Sequence, residues 1–188
     1  MARLKARLVS LLMTLMALVA LAPAQTYTPK AGETVLKLVI AERGNIFVTL
    51  YTKEAPKTTA RLLELVKSGF YAGQRFHKVV RTPRPFIAQV GDPNSIKLAP
   101  DDPLLGSTGT GIRIPYEETH HTHDEGAVSL ATLGTDKDSG DCQFFFVLGA
   151  AHFLDGHYTV FGKVVAGLDV MRALQRGDHV QTATILKG

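Results

Sequence analysis

The chain has 188 residues, of which 21 are Lys or Arg, 17 are Asp or Glu and one is Cys, and its formal net charge is +4. This length fits one domain with a full hydrophobic core. The single cysteine, Cys142, excludes an internal disulfide framework, so the fold must depend on its core.

The first 24 residues have the pattern of a secretory signal peptide. Three basic residues precede an apolar run over 9–22, and small residues at 22–24 offer a cleavage site. We therefore expect Gln25 to begin a mature protein that is exported, either to a periplasm or out of the cell. The apolar run is short of the roughly 20 residues that a membrane span needs, and an uncleaved N-terminal anchor is the alternative.

The basic balance of the chain lies mostly in this leader. Cleavage after residue 24 removes three basic residues and no acidic ones, so the formal net charge falls from +4 to +1. The charge therefore gives no reason to expect a nucleic-acid partner. We expect a monomer without a stable membrane anchor after cleavage.

Beyond a polar lead-in at 25–33, the pattern predicts eight strands and two helices. The predicted strands cover 34–40, 45–51, 76–80, 86–91, 126–132, 143–148, 159–165 and 180–186. The first helix is predicted from about 56 to 68, because Pro56 can begin it and Gly69 can end it. A second helix has Leu168, Met171 and Leu174 on one face.

These elements are typical of a mainly β domain over residues 34–188. We expect a closed eight-stranded antiparallel barrel that is capped by two helices. Side chains fill the interior of a barrel of this size, so a substrate must bind on its outer wall. The long Gly- and Pro-rich segment 93–122 is predicted to form loops that cross this wall.

Three short segments carry the most specific pattern. They read FHKVV at 76–80, FIAQVGD at 86–92 and QFFFV at 143–147, and a later one reads FLDGHYTVFGKV at 153–164. Together they resemble the signature stretches of the cyclophilins, which are peptidyl-prolyl cis-trans isomerases. The resemblance covers the whole predicted domain. It implies proline-containing polypeptide clients and a chemistry that needs no metal or cofactor.

That chemistry is rotation about an X-Pro bond, which faces a barrier of roughly 20 kcal/mol because amide resonance is lost. An enzyme can hold the proline ring in an apolar cup. It can also donate a hydrogen bond to the prolyl nitrogen as that nitrogen loses conjugation, which stabilises the transition state.

The resemblance assigns catalytic positions to Lys78, Phe86 and Gln89. Lys78 stands at the family's cationic donor, Phe86 belongs to the apolar cup, and Gln89 is the amide that aligns the donor. The positions implied to bind substrate are Ile87, Gly106, Ala131, Thr132, Gln143, Phe145, Phe153, Leu154 and Tyr158. Among them Ala131 and Thr132 match a strand edge that pairs with the substrate chain, and Gly106 opens a Gly-rich loop.

The chain departs from the family pattern at the donor. Lys78 replaces arginine and lacks its planar, pre-aligned fork. The link after Lys78 is longer than usual and contains Arg81 and Arg84, so one of these is a second candidate donor. Loss of a true donor would leave a non-catalytic or weakly catalytic module that binds proline peptides, which is the alternative function.

A further departure concerns the rim of the cup. Phe153 and Tyr158 stand where many eukaryotic cyclophilins carry Trp and His. The indole N–H is a donor that cyclosporin uses, so weak cyclosporin binding is predicted.

Other patterns are interpreted as structural. The cluster His120-His121-Thr122-His123-Asp124 fits no standard zinc spacing and is predicted to be a polar loop without a resident metal. The acidic segment 135–141 lacks the terminal Glu of a calcium loop. Strand alternation assigns Phe144 and Phe146 to the core and Phe145 to the binding groove.

Overall fold

The computed structural model describes residues 25–188. The predicted signal peptide, residues 1–24, lies outside the described residues. Within the described part no helix is both long and apolar enough to span a bilayer. Irregular backbone over 25–33 precedes the first strand.

The predicted strands and helices are confirmed to within about two residues. The strands are β1 Thr34–Ile40, β2 Gly44–Leu50, β3 Lys78–Val80, β4 Ile87–Val90, β5 Ala127–Leu130, β6 Phe144–Val147, β7 Val160–Ala166 and β8 Val180–Lys187. The helices are α1 Pro56–Lys67 and α2 Leu168–Ala173. Strand β3 begins two residues later than predicted, and β5 ends two residues earlier. Both of these strand ends lie at the candidate site.

Helix α1 begins where the sequence predicts. Pro56 occupies its first turn, where a missing N–H costs nothing. Glu117, from the long loop, accepts hydrogen bonds from the N–H groups of Lys57 and Thr58, each at 2.8 Å. The helix ends before Gly69, whose φ of +76° suits glycine.

The prediction of a closed barrel is wrong. The eight strands form one antiparallel sheet in the order β3-β4-β6-β5-β7-β2-β1-β8, and it curves into an open half-barrel. Among the described residues, β3 and β8 form no ladder with each other, and only the segments before them meet, at the isolated bridge Arg75 to His179 and the backbone hydrogen bonds beside it. The physical reason lies in β3, which has three residues and runs into a link with two prolines that cannot donate to a ladder.

Apolar side chains pack on both faces of this sheet. The larger cluster fills the concave interior and contains Phe144 and Phe146. A smaller cluster lies on the opposite face and contains Ile87, Phe145 and Val160. The alternation predicted for the three phenylalanines is therefore confirmed, and the outer cluster marks the face on which the site lies.

Candidate functional site

A cavity of about 540 Å³ opens on the outer face of the sheet. Ten of the twelve predicted site residues line it: Lys78, Phe86, Ile87, Gln89, Gly106, Ala131, Thr132, Phe145, Leu154 and Tyr158. The remaining two lie beside it, with Phe153 on the rim and Gln143 in an adjoining cavity. Residues that are far apart in the sequence thus meet on one surface.

The apolar part of the cavity is built from rings on β6 and on the segment before β7. Phe145 is 3% exposed and meets Tyr158 edge to face, with ring centroids 5.4 Å apart. Phe86 stacks on Phe153 with centroids 5.5 Å apart, and Phe153 remains 60% exposed. The result is a cup with a buried aromatic floor and an open aromatic rim, which suits an apolar ring such as that of proline.

Two amide side chains form a directed chain along the cavity wall. Gln143 Nε2 donates to the carbonyl of Thr108 at 2.7 Å, and Gln89 Nε2 donates to Gln143 Oε1 at 2.8 Å. A backbone carbonyl can only accept, so Thr108 fixes the orientation of both amides. Gln89 therefore keeps Oε1 as an acceptor for the cavity that it lines.

Lys78 lies directly opposite Gln89 in the β3–β4 ladder. It is exposed on the cavity wall, so its flexible ammonium group is on the same surface as the Gln89 carbonyl oxygen. A second cation, Arg176, lines the same cavity from the segment after α2. The lining of this cavity thus contains one lysine, Lys78, and one arginine, Arg176.

The two other predicted donor candidates are directed elsewhere. The guanidinium of Arg81 donates to the carbonyls of Arg172 and Leu174, the latter at 2.7 Å, at the end of α2. Arg84 is exposed and does not line the cavity.

Two carboxylates hold the Gly-rich loop 106–111 against the sheet. Asp92 is fully buried and accepts from the N–H of Gly106 at 2.7 Å. Asp141 accepts from the Thr110 hydroxyl at 2.6 Å and from the Gly111 N–H at 3.1 Å. Because these two residues fix the loop from opposite ends, its backbone forms a stable wall between the two cavities.

The adjoining cavity has about 250 Å³ and contains Gln143 in its lining. It shares Gly106, Ala131 and Thr132 with the main cavity. An extended chain can therefore cross both cavities along Ala131 and Thr132.

The strand edge at this point is shorter than predicted. Strand β5 lies between β6 and β7, and the N–H of Ala131 already donates to the Gln143 carbonyl at 2.9 Å. A bound chain must therefore pair with the backbone beyond that N–H, starting at the Ala131 carbonyl and Thr132.

Two histidines near the cavity are buried. His77 is 5% exposed and lines the cavity, and burial lowers the pKa of its imidazole. Residues 120–124 form a loop as predicted, but His123 is fully buried within it. Within residues 25–188 no three His, Cys, Asp or Glu side chains are grouped so that they could hold a metal ion.

Cys142 is buried two residues before β6. Burial raises the pKa of its thiol to about 12, and the neighbouring Asp141 adds to the effect. A thiol in this state is a poor nucleophile.

One wall of the cavity comes from the predicted loops at 93–122, but the sequence does not indicate which of their residues line it, and it gives no signal for Arg176. Residues 100–103, Leu105 and Ser107 come from irregular backbone, and Arg176 comes from the far end of the chain. Their place in the cavity depends on how the loops fold over the sheet, which no periodic pattern encodes.

Comparison with known proteins gives a consistent result. The model of the family described as cyclophilin type peptidyl-prolyl cis-trans isomerase/CLD matches residues 35–187. A peptidyl-prolyl cis-trans isomerase of Helicobacter pylori is 34% identical over 167 residues, covering 85% of this chain and 94% of that protein. Peptidyl-prolyl cis-trans isomerase B of Bacillus subtilis is 38% identical over 147 residues, covering 78% and 94%.

Solved structures show the same fold. A cyclophilin type isomerase from Cryptosporidium parvum superposes with a TM-score of 0.71 at 22% identity, covering 83% of this chain and 99% of that one. A cyclophilin from Hirschia baltica superposes with a TM-score of 0.65 at 21% identity, covering 81% and 76%.

Proposed function

Since this chain belongs to the cyclophilin-type peptidyl-prolyl cis-trans isomerases, we propose that its outer cavity is where X-Pro bonds rotate and that Lys78 is the donor. The observation that carries the proposal is one cavity that joins an aromatic cup to a cation and an oriented amide. Amide rotation needs these parts, because the proline ring must be held and the prolyl nitrogen must receive a hydrogen bond as it loses conjugation. The reaction needs no nucleophile.

The proposed mechanism divides the work between two groups of residues. The proline ring enters the cup over Phe145, and the chain on the other side of the bond turns. As the prolyl nitrogen becomes pyramidal it gains a lone pair, and the ammonium group of Lys78 donates a hydrogen bond to that lone pair. Gln89 Oε1 accepts from Lys78 and so holds the ammonium in line, which offsets part of the freedom that lysine has and arginine lacks.

Lys78 is supported over Arg81 by the hydrogen bonds that occupy the Arg81 guanidinium at the end of α2. Arg84 lies outside the cavity lining. Arg176 is the competing candidate, because it lines the cavity as Lys78 does.

The test is to measure kcat/KM on an Ala-Ala-Pro-Phe tetrapeptide for the wild type, Lys78→Ala, Lys78→Arg and Arg176→Ala. We expect Lys78→Ala to lose about a hundredfold, as removal of one transition-state donor does, and Lys78→Arg to keep activity. Arg84→Ala is the matched control, a cation on the same link outside the cavity, and should stay within about twofold. Near-normal activity in Lys78→Ala with a large loss in Arg176→Ala would contradict the assignment.

The alternative of a binding module without turnover is not favoured, because the relatives are named as isomerases. The same experiment distinguishes it. A wild-type rate near the uncatalysed value that Lys78→Arg restores would indicate a groove kept for binding.

We also propose that the protein acts outside the cytoplasm on proline-containing polypeptides that are unfolded or partly folded, and that it does so as a monomer. The support is the signal-like pattern over 1–24 and the near-neutral charge of the remainder. Slow X-Pro isomerisation can limit folding of such clients. Mass spectrometry of the exported protein should find Gln25 at its N-terminus, and a retained leader would contradict cleavage.

Weak cyclosporin binding is the expected pharmacology. The ring of Phe153 lies at the rim of the cup but has no N–H to donate. Calorimetric titration should therefore give a dissociation constant well above the nanomolar range. A nanomolar value would show that the missing indole donor is unimportant here.

A further inference from the structure

His123 lies directly behind the floor of the proline cup. Its side chain is fully buried, and its ring stacks on Phe145 with centroids 6.1 Å apart and planes at 16°. The edge of Tyr158 meets it at 6.3 Å. Both of those rings line the cavity, whereas His123 itself does not. It is therefore placed to support the cup and not to touch a bound peptide.

Hydrogen bonds hold His123 on all sides. Asp155 Oδ1 accepts from the backbone N–H of His123 at 2.8 Å and lies 2.6 Å from its Nδ1. Nε2 lies 3.0 Å from the Ser129 hydroxyl, and the His123 carbonyl accepts from the Ala151 N–H at 2.8 Å. A buried ring with this many partners has one orientation.

Asp155 connects this ring to the rim of the cup. It directly follows the short 3-10 turn His152–Leu154, which carries Phe153 and Leu154. Leu154 lines the cavity, and Phe153 stacks on Phe86. The contact between His123 and Asp155 thus ties the floor of the cup to the turn that forms its rim.

The protonation of the pair follows from burial and contact. Burial lowers the pKa of His123, although Asp155 opposes this effect. Burial acts to raise the pKa of Asp155, but hydrogen bonds from His123 outweigh it and the pKa is lowered. At neutral pH the imidazole is therefore neutral, and Nδ1 donates to an ionised Asp155.

The trio of Ser129, His123 and Asp155 has the connectivity of a hydrolytic triad, but it cannot act as one. Ser129 is fully buried and does not line the main or the adjoining cavity. Its hydroxyl lies 2.9 Å from the Thr159 carbonyl and 3.0 Å from His123, both inside the protein. A nucleophile must reach a substrate carbonyl, so the chemistry of the trio is support.

We propose that His123 and Asp155 are positioning residues that hold the proline cup in its binding shape. The inference rests on the proposed function, because it assigns a role behind the same cavity. It goes further in stating which kinetic constant the pair controls. The cup holds proline both before and during rotation, whereas Lys78 and Gln89 are held by strand ladders that contain neither His123 nor Asp155. Loss of the contact between His123 and Asp155 should therefore raise KM and leave kcat unchanged.

The experiment compares KM and kcat for the Ala-Ala-Pro-Phe tetrapeptide in three variants. His123→Phe keeps a ring beside Phe145 but removes the hydrogen bonds of the imidazole. Asp155→Ala removes the carboxylate that accepts from His123. Each should raise KM about tenfold, as loss of a hydrogen bond in a buried site does. Asp155→Asn keeps an acceptor for both N–H groups of His123 and should recover most of the loss.

The matched control is His121→Phe. His121 lies in the same segment and stacks on Tyr51 with centroids 3.7 Å apart, but it does not line the cavity. Its KM should stay at the wild-type value. A merely structural role for His123 would lower the folded fraction, and with it the apparent kcat, without moving KM. Wild-type KM in folded His123→Phe and Asp155→Ala would overturn the proposal.

A measurement on the wild type covers the case in which neither variant folds. The imidazole Nδ1 proton of His123 should give a downfield NMR signal that shifts as the tetrapeptide saturates the cup. An unmoved signal at saturation would overturn the inference. Failure of the wild type to bind the tetrapeptide would instead contradict the proposed function, so the two failures are distinguishable.

Discussion

At the scale of single residues, hydrogen-bond partners and burial decide what each side chain of the site can do. Gln89 is an ordinary strand amide in the sequence, but the carbonyl of Thr108 orients it through Gln143 and leaves its oxygen for the cavity. Lys78 has the freedom of a surface side chain, and its proposed role as a donor rests on its place opposite Gln89 in the ladder. His77 and His123 are polar residues that burial keeps neutral.

These two histidines predict how stability depends on pH. Both have a folded-state pKa below the unfolded value of about 6.5, so the unfolded state binds more protons as pH falls. Their contribution is fully present above pH 6.5 and is lost as the pH falls toward their folded pKa. Urea unfolding between pH 7.5 and 5 should show a decrease of up to about 1.4 kcal/mol per pH unit for each histidine. A flat profile over this range would contradict the buried, neutral state, and His77→Asn should reduce the slope.

At the scale of elements, one strand serves both the core and the site. Successive side chains of β6 point to opposite faces, so Phe144 and Phe146 fill the interior while Phe145 forms the floor of the cup. The strand is central in the sheet, between β4 and β5. The rigid core thus sets the position of the cup directly.

Alanine substitution of neighbouring β6 residues should therefore separate stability from activity. Phe144→Ala should lower the free energy of unfolding by about 3–5 kcal/mol and leave kcat/KM per folded molecule near the wild-type value. Phe145→Ala should lower kcat/KM by about tenfold or more, since roughly 1.5–3 kcal/mol of apolar contact is lost. The measurements are denaturant unfolding and the peptide assay, both below the unfolding transition. Equal losses of activity would contradict the division of β6 into two faces.

At the scale of the whole molecule, the sheet depends on a contact between its first and last strands. Strand β8 pairs with β1 along its length, and Val180 is fully buried in the interior. The sheet is open between β3 and β8, and no disulfide is possible with one cysteine. The C-terminal strand therefore pairs with one edge of the N-terminal hairpin, whose other edge pairs with β7.

Deletion of residues 179–188 should consequently abolish cooperative unfolding. The deletion exposes the β1 edge and opens the interior beside α1, so a single sharp thermal transition in circular dichroism should disappear. Deletion of Gly188 alone, which leaves the ladder intact, is the control. A sharp transition in the shorter chain would show that the β1–β8 ladder is dispensable.

The sequence by itself determined the element order, the strand face of each β6 phenylalanine and ten residues of the cavity, because periodicity and short motifs are local properties. Only the tertiary structure decided that the sheet stays open, that Arg81 is directed to α2 and that Arg176 joins the cavity. It alone showed that His123 of the predicted polar loop is buried behind the cup. These outcomes depend on which distant segments meet, and burial and hydrogen bonding between such segments are not encoded in any local pattern.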